Sequence, residues 1–180
     1  KGGTVTFTGA PSVGKTSTAL MLTAAYQRQD KVVMFVNYEG IFDECKNMKN
    51  INYLGFQKND KIIEILKKTH IYAFPSVWPE TSCISAIESM AAGCEIVTTN
   101  LGALFETCAP FGTLVGFDRN FNNLEKKYSE ALLKSIKDYW SESNQSKLKL
   151  QRETINLIYS WEVRSKEWKK FFNEARKLKL

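Results

Sequence analysis

Apolar residues in this chain fall into two kinds of run. Short β-rich blocks alternate with longer stretches in which apolar positions recur every three or four residues. The first kind predicts parallel strands buried on both faces. These are TVTFT at 4–8, KVVMFV at 31–36, INYLGF at 51–56, His70–Phe74, Cys94–Thr99 and GTLVGFD at 112–118. The second kind predicts helices: Thr16–Gln29, NDKIIEILKKTH at 59–70, Ser82–Ala92, and three at the end over 124–140, 146–159 and 160–177. In the first of the short ones Ile62, Ile63, Ile65 and Leu66 point inward. Between Ser82 and Ala92 the residues Cys83, Ile84, Ala86, Ile87, Met90 and Ala91 hold helical spacing, and Gly93 stands where a helix-ending glycine belongs. The alternation predicts an α/β fold: one doubly wound parallel sheet with a helical C-terminal tail and ligand loops at the strand C-termini. The whole chain, 1–180, reads as a single domain with a β-α-β opening at 1–43, a second half at 44–120 and a helical segment at 121–180.

Composition refines this picture. The 180 residues are 43% hydrophobic, enough to bury a core, and no apolar run is long enough to span a bilayer. The chain opens at Lys1 rather than a methionine and reads as a fragment. Its four cysteines (45, 83, 94 and 108) hold no zinc or CxxC spacing and read as the reduced thiols of a cytoplasmic protein. Residues 1–120 balance 11 basic against 11 acidic groups, so the formal net charge of +6 lies in the helical tail. Such a tail suits an anionic membrane surface or nucleic acid, and equally a solvated helix face. Trp140, Trp161, Trp168, Phe171 and Phe172 read there as packing anchors. The single histidine, His70, heads a buried strand and reads as structural, so no Ser/His/Asp or Cys/His set can be built. No Asp-x-Asp pair is present, and no metal site is expected.

The first strand runs directly into GAPSVGKT. Gly9, Gly14, Lys15 and Thr16 match the phosphate-loop pattern G-x-x-x-x-G-K-[ST], between a strand and a helix as that motif requires. Backbone N–H groups there would cradle phosphates, Lys15 would reach them and Thr16 would hold Mg²⁺. Residues 1–43 resemble the core of a RecA-like recombinase or ATPase. That resemblance implies ATP with Mg²⁺ as ligand, nucleic acid as partner, and Glu39 as the group polarising the attacking water. The rest of the chain does not continue it: among HIYAFP, CEIVTTN and TLVGF, only the last reaches an aspartate, Asp118, far along the chain.

The segment PSVWPETSCISAIESMAAGCEIVTTN, 75–100, places Glu80 just before a helix and Glu88 inside it. A helix N-terminus offers free N–H groups to anions, and carboxylates accept hydrogen bonds from sugar hydroxyls. This segment resembles the C-terminal nucleotide-sugar domain of GT-B glycosyltransferases, in particular the family 4-like retaining enzymes with their Glu-x7-Glu signature. The matching residues are Pro75, Ser76, Glu80, Glu88, Met90, Ala91, Gly93, Ile96 and Val97. Thr81, Ser82, Cys83 and Glu95 depart from the pattern.

The resemblance runs with gaps from about residue 45 to the end. It takes in a turn at Gly55 beside the nucleotide base, Gly102 and Glu106 of a "GG..E" loop with Ala103 replacing the second glycine, and the YSWE at Tyr159–Glu162 where terminal helices turn toward the other domain. It implies a nucleoside-diphosphate sugar donor. Glu80 would be the catalytic carboxylate at the transferred sugar, Glu88 would bind the ribose hydroxyls, and N–H groups near Thr81, Ser82 and Cys83 would face the diphosphate. Lys15 is the one available member of the family's basic pair. An acceptor-binding N-terminal domain is expected in the parent protein. The plain alternative makes Glu80 a loop carboxylate and Glu88 the solvated edge of a helix. Residues 1–43 occupy the place of the fold's first β-α-β unit, and a chimera of the two folds is favoured over a transferase loop of Walker-like form.

Overall fold

A computed structural model of the chain describes residues 5–7, 33–35, 51–54 and 57–177; Gly9, Gly14, Lys15, Thr16, Glu39 and Gly55 lie outside them. Six strands are described: β1 Val5–Phe7, β2 Val33–Phe35, β3 Ile51–Tyr53, β4 Ile71–Phe74, β5 Glu95–Asn100 and β6 Thr113–Gly116. They form one parallel sheet in the order β3-β2-β1-β4-β5-β6. The chain winds outward from β1 to β3, then begins again at β4 and winds the other way. The order reverses between β1 and β4, and parallel sheets of this kind take their ligands at the C-terminal ends of the strands flanking such a reversal. The described helices are α1 Asn59–Leu66, α2 Ile84–Ala92, α3 Leu104–Cys108, α4 Phe121–Asp138, α5 Glu142–Ile158 and α6 Trp161–Lys177.

The apolar strand runs behave as their pattern predicts, because alternate residues feed opposite faces. Ile71, Ala73 and Val97 join Val115 on one face, where Leu124, Tyr128 and Leu132 of α4 cover them at four-residue spacing. Tyr72, Phe74 and Ile96 point the other way, onto Leu66, Ala86, Met90, Leu104, Cys108 and Ile155 from α1, α2, α3 and α5. Full burial of one such aliphatic side chain contributes roughly 1.5–3 kcal/mol. Two helices of the C-terminal segment, α4 and α5, therefore belong to the core.

Buried polar groups are paired where they tie elements together. The Tyr128 hydroxyl donates to the Val97 carbonyl at 2.7 Å. Gln151 Nε2 donates to Met90 O at 3.2 Å and to Cys94 O at 2.8 Å, fastening α5 to the α2–β5 turn. At that turn Gly93 takes the left-handed conformation, φ 97°, as its place after the helix predicted. Glu95, only 4% exposed, stands where the resembled family carries proline. A buried carboxylate needs a partner, and Asn144 Nδ2 donates to its Oε2 at 2.8 Å. Burial pushes the Cys94 and Cys108 thiols up to about 12.

Two expectations need correction. Helix α2 begins at Ile84 rather than Ser82, because Cys83 is held extended (φ −95°, ψ 95°) as its N-cap. The aromatic residues of the last segment are not packing anchors within this chain: Trp140, Trp161, Trp168, Phe171 and Phe172 are all exposed, Trp161 at 87%. Helix α6 buries none of its residues. Its rings meet one another instead, with Trp168 and Phe172 stacked at 5.5 Å and Phe171 edge-on to both. His70 at the foot of β4 lies edge-on to Tyr139 and Trp140, at 5.1 and 5.4 Å. No described helix is long and apolar enough to cross a membrane.

Candidate functional site

The chain leaves β4 at Phe74, at the C-terminal edge of the sheet. Two threonines of β5 hold this exit. Thr98 Oγ1 donates to Phe74 O at 2.7 Å and Thr99 Oγ1 donates to Ser76 O at 2.5 Å, both from fully buried positions. Carbonyls past a strand end lose their ladder partners, and these hydroxyls replace them. Ser76 N–H donates back to Phe74 O at 2.9 Å, so the first turn after the strand is closed.

Glu80 is reached four residues later and is half-buried. Its backbone pairs with the loop after β5: Glu80 and Gly102 form an isolated parallel bridge, and Ala103 N–H donates to Glu80 O at 2.7 Å. Gly102 has φ 62°, and a Cβ there would lie 2.5 Å from both Glu80 N and Glu80 O and 2.8 Å from Pro79 C. Only glycine permits this approach. The Glu80 carboxylate turns back on its own loop, with Ser76 Oγ 3.2 Å from its Oε1.

Helix α2 starts immediately beyond. Thr81 and Ser82 are exposed, Cys83 is buried, and no side chain makes a capping hydrogen bond at this N-terminus. Uncapped helix N–H groups carry a partial positive charge and suit an anion. The Cys83 thiol, 3.2 Å from Ser85 Oγ, is held neutral by burial, which raises its pKa. Glu88 lies one turn into α2, on the same stripe as exposed Ile84 and half-buried itself. Glu106 is exposed in the first turn of α3, just past Gly102.

The fold thus gathers Glu80, Thr81, Ser82, Cys83, Gly102 and Glu106 at the C-terminal rim, with Glu88 a turn below. The candidates Gly9, Gly14, Lys15, Thr16, Glu39 and Gly55 lie outside the described residues. Ser76 and Thr99 are functional candidates to which the sequence assigned no role. The serine was visible only as part of the "PS" preceding the first glutamate. Among the described residues, no group of His, Cys, Asp or Glu is arranged to hold a metal ion.

Residues 33–152 match the family described as Glycosyl transferases group 1. The chain belongs to that family. The match begins inside the stretch that resembles a RecA-like unit and carries β2 into the group 1 glycosyltransferases, so the P-loop alternative gains no support from it. Solved structures agree on the fold, which is of GT-B type. A glycosyltransferase from Rickettsia africae superposes with a TM-score of 0.73 at 14% identity, covering 96% of this chain and 48% of its own. Sucrose-phosphate synthase from Thermosynechococcus elongatus gives 0.72 at 15% identity, over 98% of this chain and 46% of its own. Anabaena HepE, solved with UDP and glucose, gives 0.70 at 12% identity, over 96% and 48%. This group 1 glycosyltransferase chain therefore spans about half the length of the structures it resembles. No curated protein matches it.

Proposed function

We propose that this chain is the donor-binding half of a GT-B glycosyltransferase and takes a nucleoside-diphosphate sugar at the C-terminal ends of β1 and β4. The observation that carries this reading is the placement of Glu80, pinned to the loop after β5 beyond the C-terminal end of β4 and three residues before the uncapped N-terminus of α2. The diphosphate lies against the N–H groups around Thr81 to Cys83, just ahead of the first turn of α2, where the helix field favours negative charge. Glu80 accepts from hydroxyls of the transferred sugar and Glu88 from those of the ribose. Lys15 supplies a positive charge from the segment after β1, the strand on the other side of the reversal. That HepE holds UDP and glucose supports a nucleotide-sugar ligand for this fold. An acceptor-binding domain elsewhere in the parent completes the enzyme, so the chain alone binds donor without turning it over.

The test is calorimetric titration of the chain with UDP-glucose, ADP-glucose, the free diphosphates and ATP, each with and without Mg²⁺. A sugar nucleotide is expected to bind independently of Mg²⁺. Lys15→Ala weakens it and Thr16→Ala is nearly silent, because charge rather than metal bridging is used. Glu80→Gln is expected to weaken the sugar nucleotide more than the free diphosphate. Tight Mg²⁺-dependent ATP binding that Thr16→Ala abolishes would return the chain to the ATPase class.

A further inference from the structure

We propose that Ser76 is a positioning residue for Glu80, presetting its carboxylate toward the donor sugar before the sugar arrives. The proposal rests on the nucleotide-sugar reading above and adds to it a residue outside the Glu-x7-Glu pair.

Ser76 is only 7% exposed, and its Oγ is the hub of the β4 exit. It stands 3.0 Å from Trp78 O and 3.2 Å from Glu80 Oε1, and accepts from Trp78 N–H at 3.4 Å. A serine hydroxyl has one proton, which these two acceptors share. When the proton points to Glu80, the bond is charge-assisted, and the Trp78 N–H reinforces it by donating into the same oxygen.

The serine is itself tied down through its backbone. Its N–H is bonded to Phe74 O, and its carbonyl accepts from the buried Thr99 hydroxyl. Glu80 is thus fixed at both ends, its backbone by Gly102 and Ala103 and its carboxylate by Ser76. No described residue partners Oε2, which leaves that oxygen for a ligand hydroxyl. A carboxylate already held in its binding rotamer loses less side-chain freedom when the sugar docks.

The experiment is a double-mutant cycle on the chain, titrated with UDP-glucose against UDP and with ADP-glucose against ADP. Ser76→Ala removes the hydroxyl but keeps the backbone carbonyl that Thr99 uses. It is expected to lose roughly 10-fold in affinity for the sugar nucleotide, the scale of a hydrogen bond to a charged group, with less than about twofold on the diphosphate. In a Glu80→Gln background the same change is expected to add almost nothing. Ser76→Thr keeps the hydroxyl and is expected to retain the preference for sugar nucleotide over diphosphate; it also serves if the alanine variant fails to fold.

Equal losses on both ligands, or additive losses in the double variant, would reduce Ser76 to a structural role while leaving the donor reading intact. Loss of the sugar preference in Ser76→Thr would do the same. A wild-type chain that binds no sugar nucleotide overturns the donor reading and this one with it.

Discussion

Gly102→Ala is expected to destabilise the chain by roughly 2–3 kcal/mol and to weaken sugar-nucleotide binding in whatever fraction still folds. Two costs combine. At φ 62° an L-residue carries the left-handed penalty, about 1–2 kcal/mol. The new Cβ would also press on Glu80 N and O at 2.5 Å, and those are backbone atoms that cannot swing aside. The loop from Pro75 to Ser82 must therefore shift and take the Glu80 carboxylate with it. Two other glycines calibrate the measurement. Gly93 has φ 97° but would meet only the flexible Arg152 Cδ at 3.6 Å, so Gly93→Ala costs the conformational penalty alone. Gly116 would meet nothing within 4 Å, and Gly116→Ala should stay within about 0.5 kcal/mol of the parent. Urea unfolding of the three variants orders them 102, 93, 116. Equal losses at 102 and 93 would show that the contact with Glu80 carries no strain.

Glu88→Ala is expected to cost roughly 1–3 kcal/mol of binding for both the sugar nucleotide and its diphosphate. Its proposed partners are ribose hydroxyls, which both ligands carry. That distinguishes it from Glu80, whose partner is present only in the intact donor. Glu88 is half-buried on α2 and takes no part in the two core clusters, so the variant should melt near the parent temperature. Unchanged affinity in a folded Glu88→Ala would remove the ribose role.

The fold was legible because local signals and long-range packing agree along β4, α2 and β5. The continuous apolar run at Ile71–Phe74 is buried on both sides, as such runs must be in a parallel sheet, and Gly93 ends its helix in the conformation that glycine favours. What escaped depends on contacts that no periodicity encodes. Ser76 matches the family signature as the serine of "PS", but its bond to Glu80 exists only once the chain folds the carboxylate back onto it. Gly102 is tied to Glu80 across the sheet's rim by a close approach that only the folded loops create. Glu95 announced a departure from the family pattern, but its partner Asn144 comes from a helix far along the chain. The aromatic stripe of α6 misled in the opposite sense. Trp161, Trp168 and Phe172 recur at the spacing of a core-facing helix, and nothing local reveals that the described core lies elsewhere.

The exposure of the indoles governs how this chain can be watched by light. All four tryptophans, Trp78, Trp140, Trp161 and Trp168, are at least 52% exposed. Their emission in the folded chain is expected to lie near that of indole in water, so denaturation should move the spectrum little and intrinsic fluorescence should make a poor melting probe. Trp78 is the exception in kind. It stands two residues before Glu80, with its backbone N–H and carbonyl both at the Ser76 hydroxyl. Under the donor reading, a ligand held at Glu80 is expected to change the surroundings of this indole more than those of the three on the helical segment. Replacing Trp140, Trp161 and Trp168 with phenylalanine would leave a single emitter beside the site, turning a weak folding signal into a direct optical titration of donor.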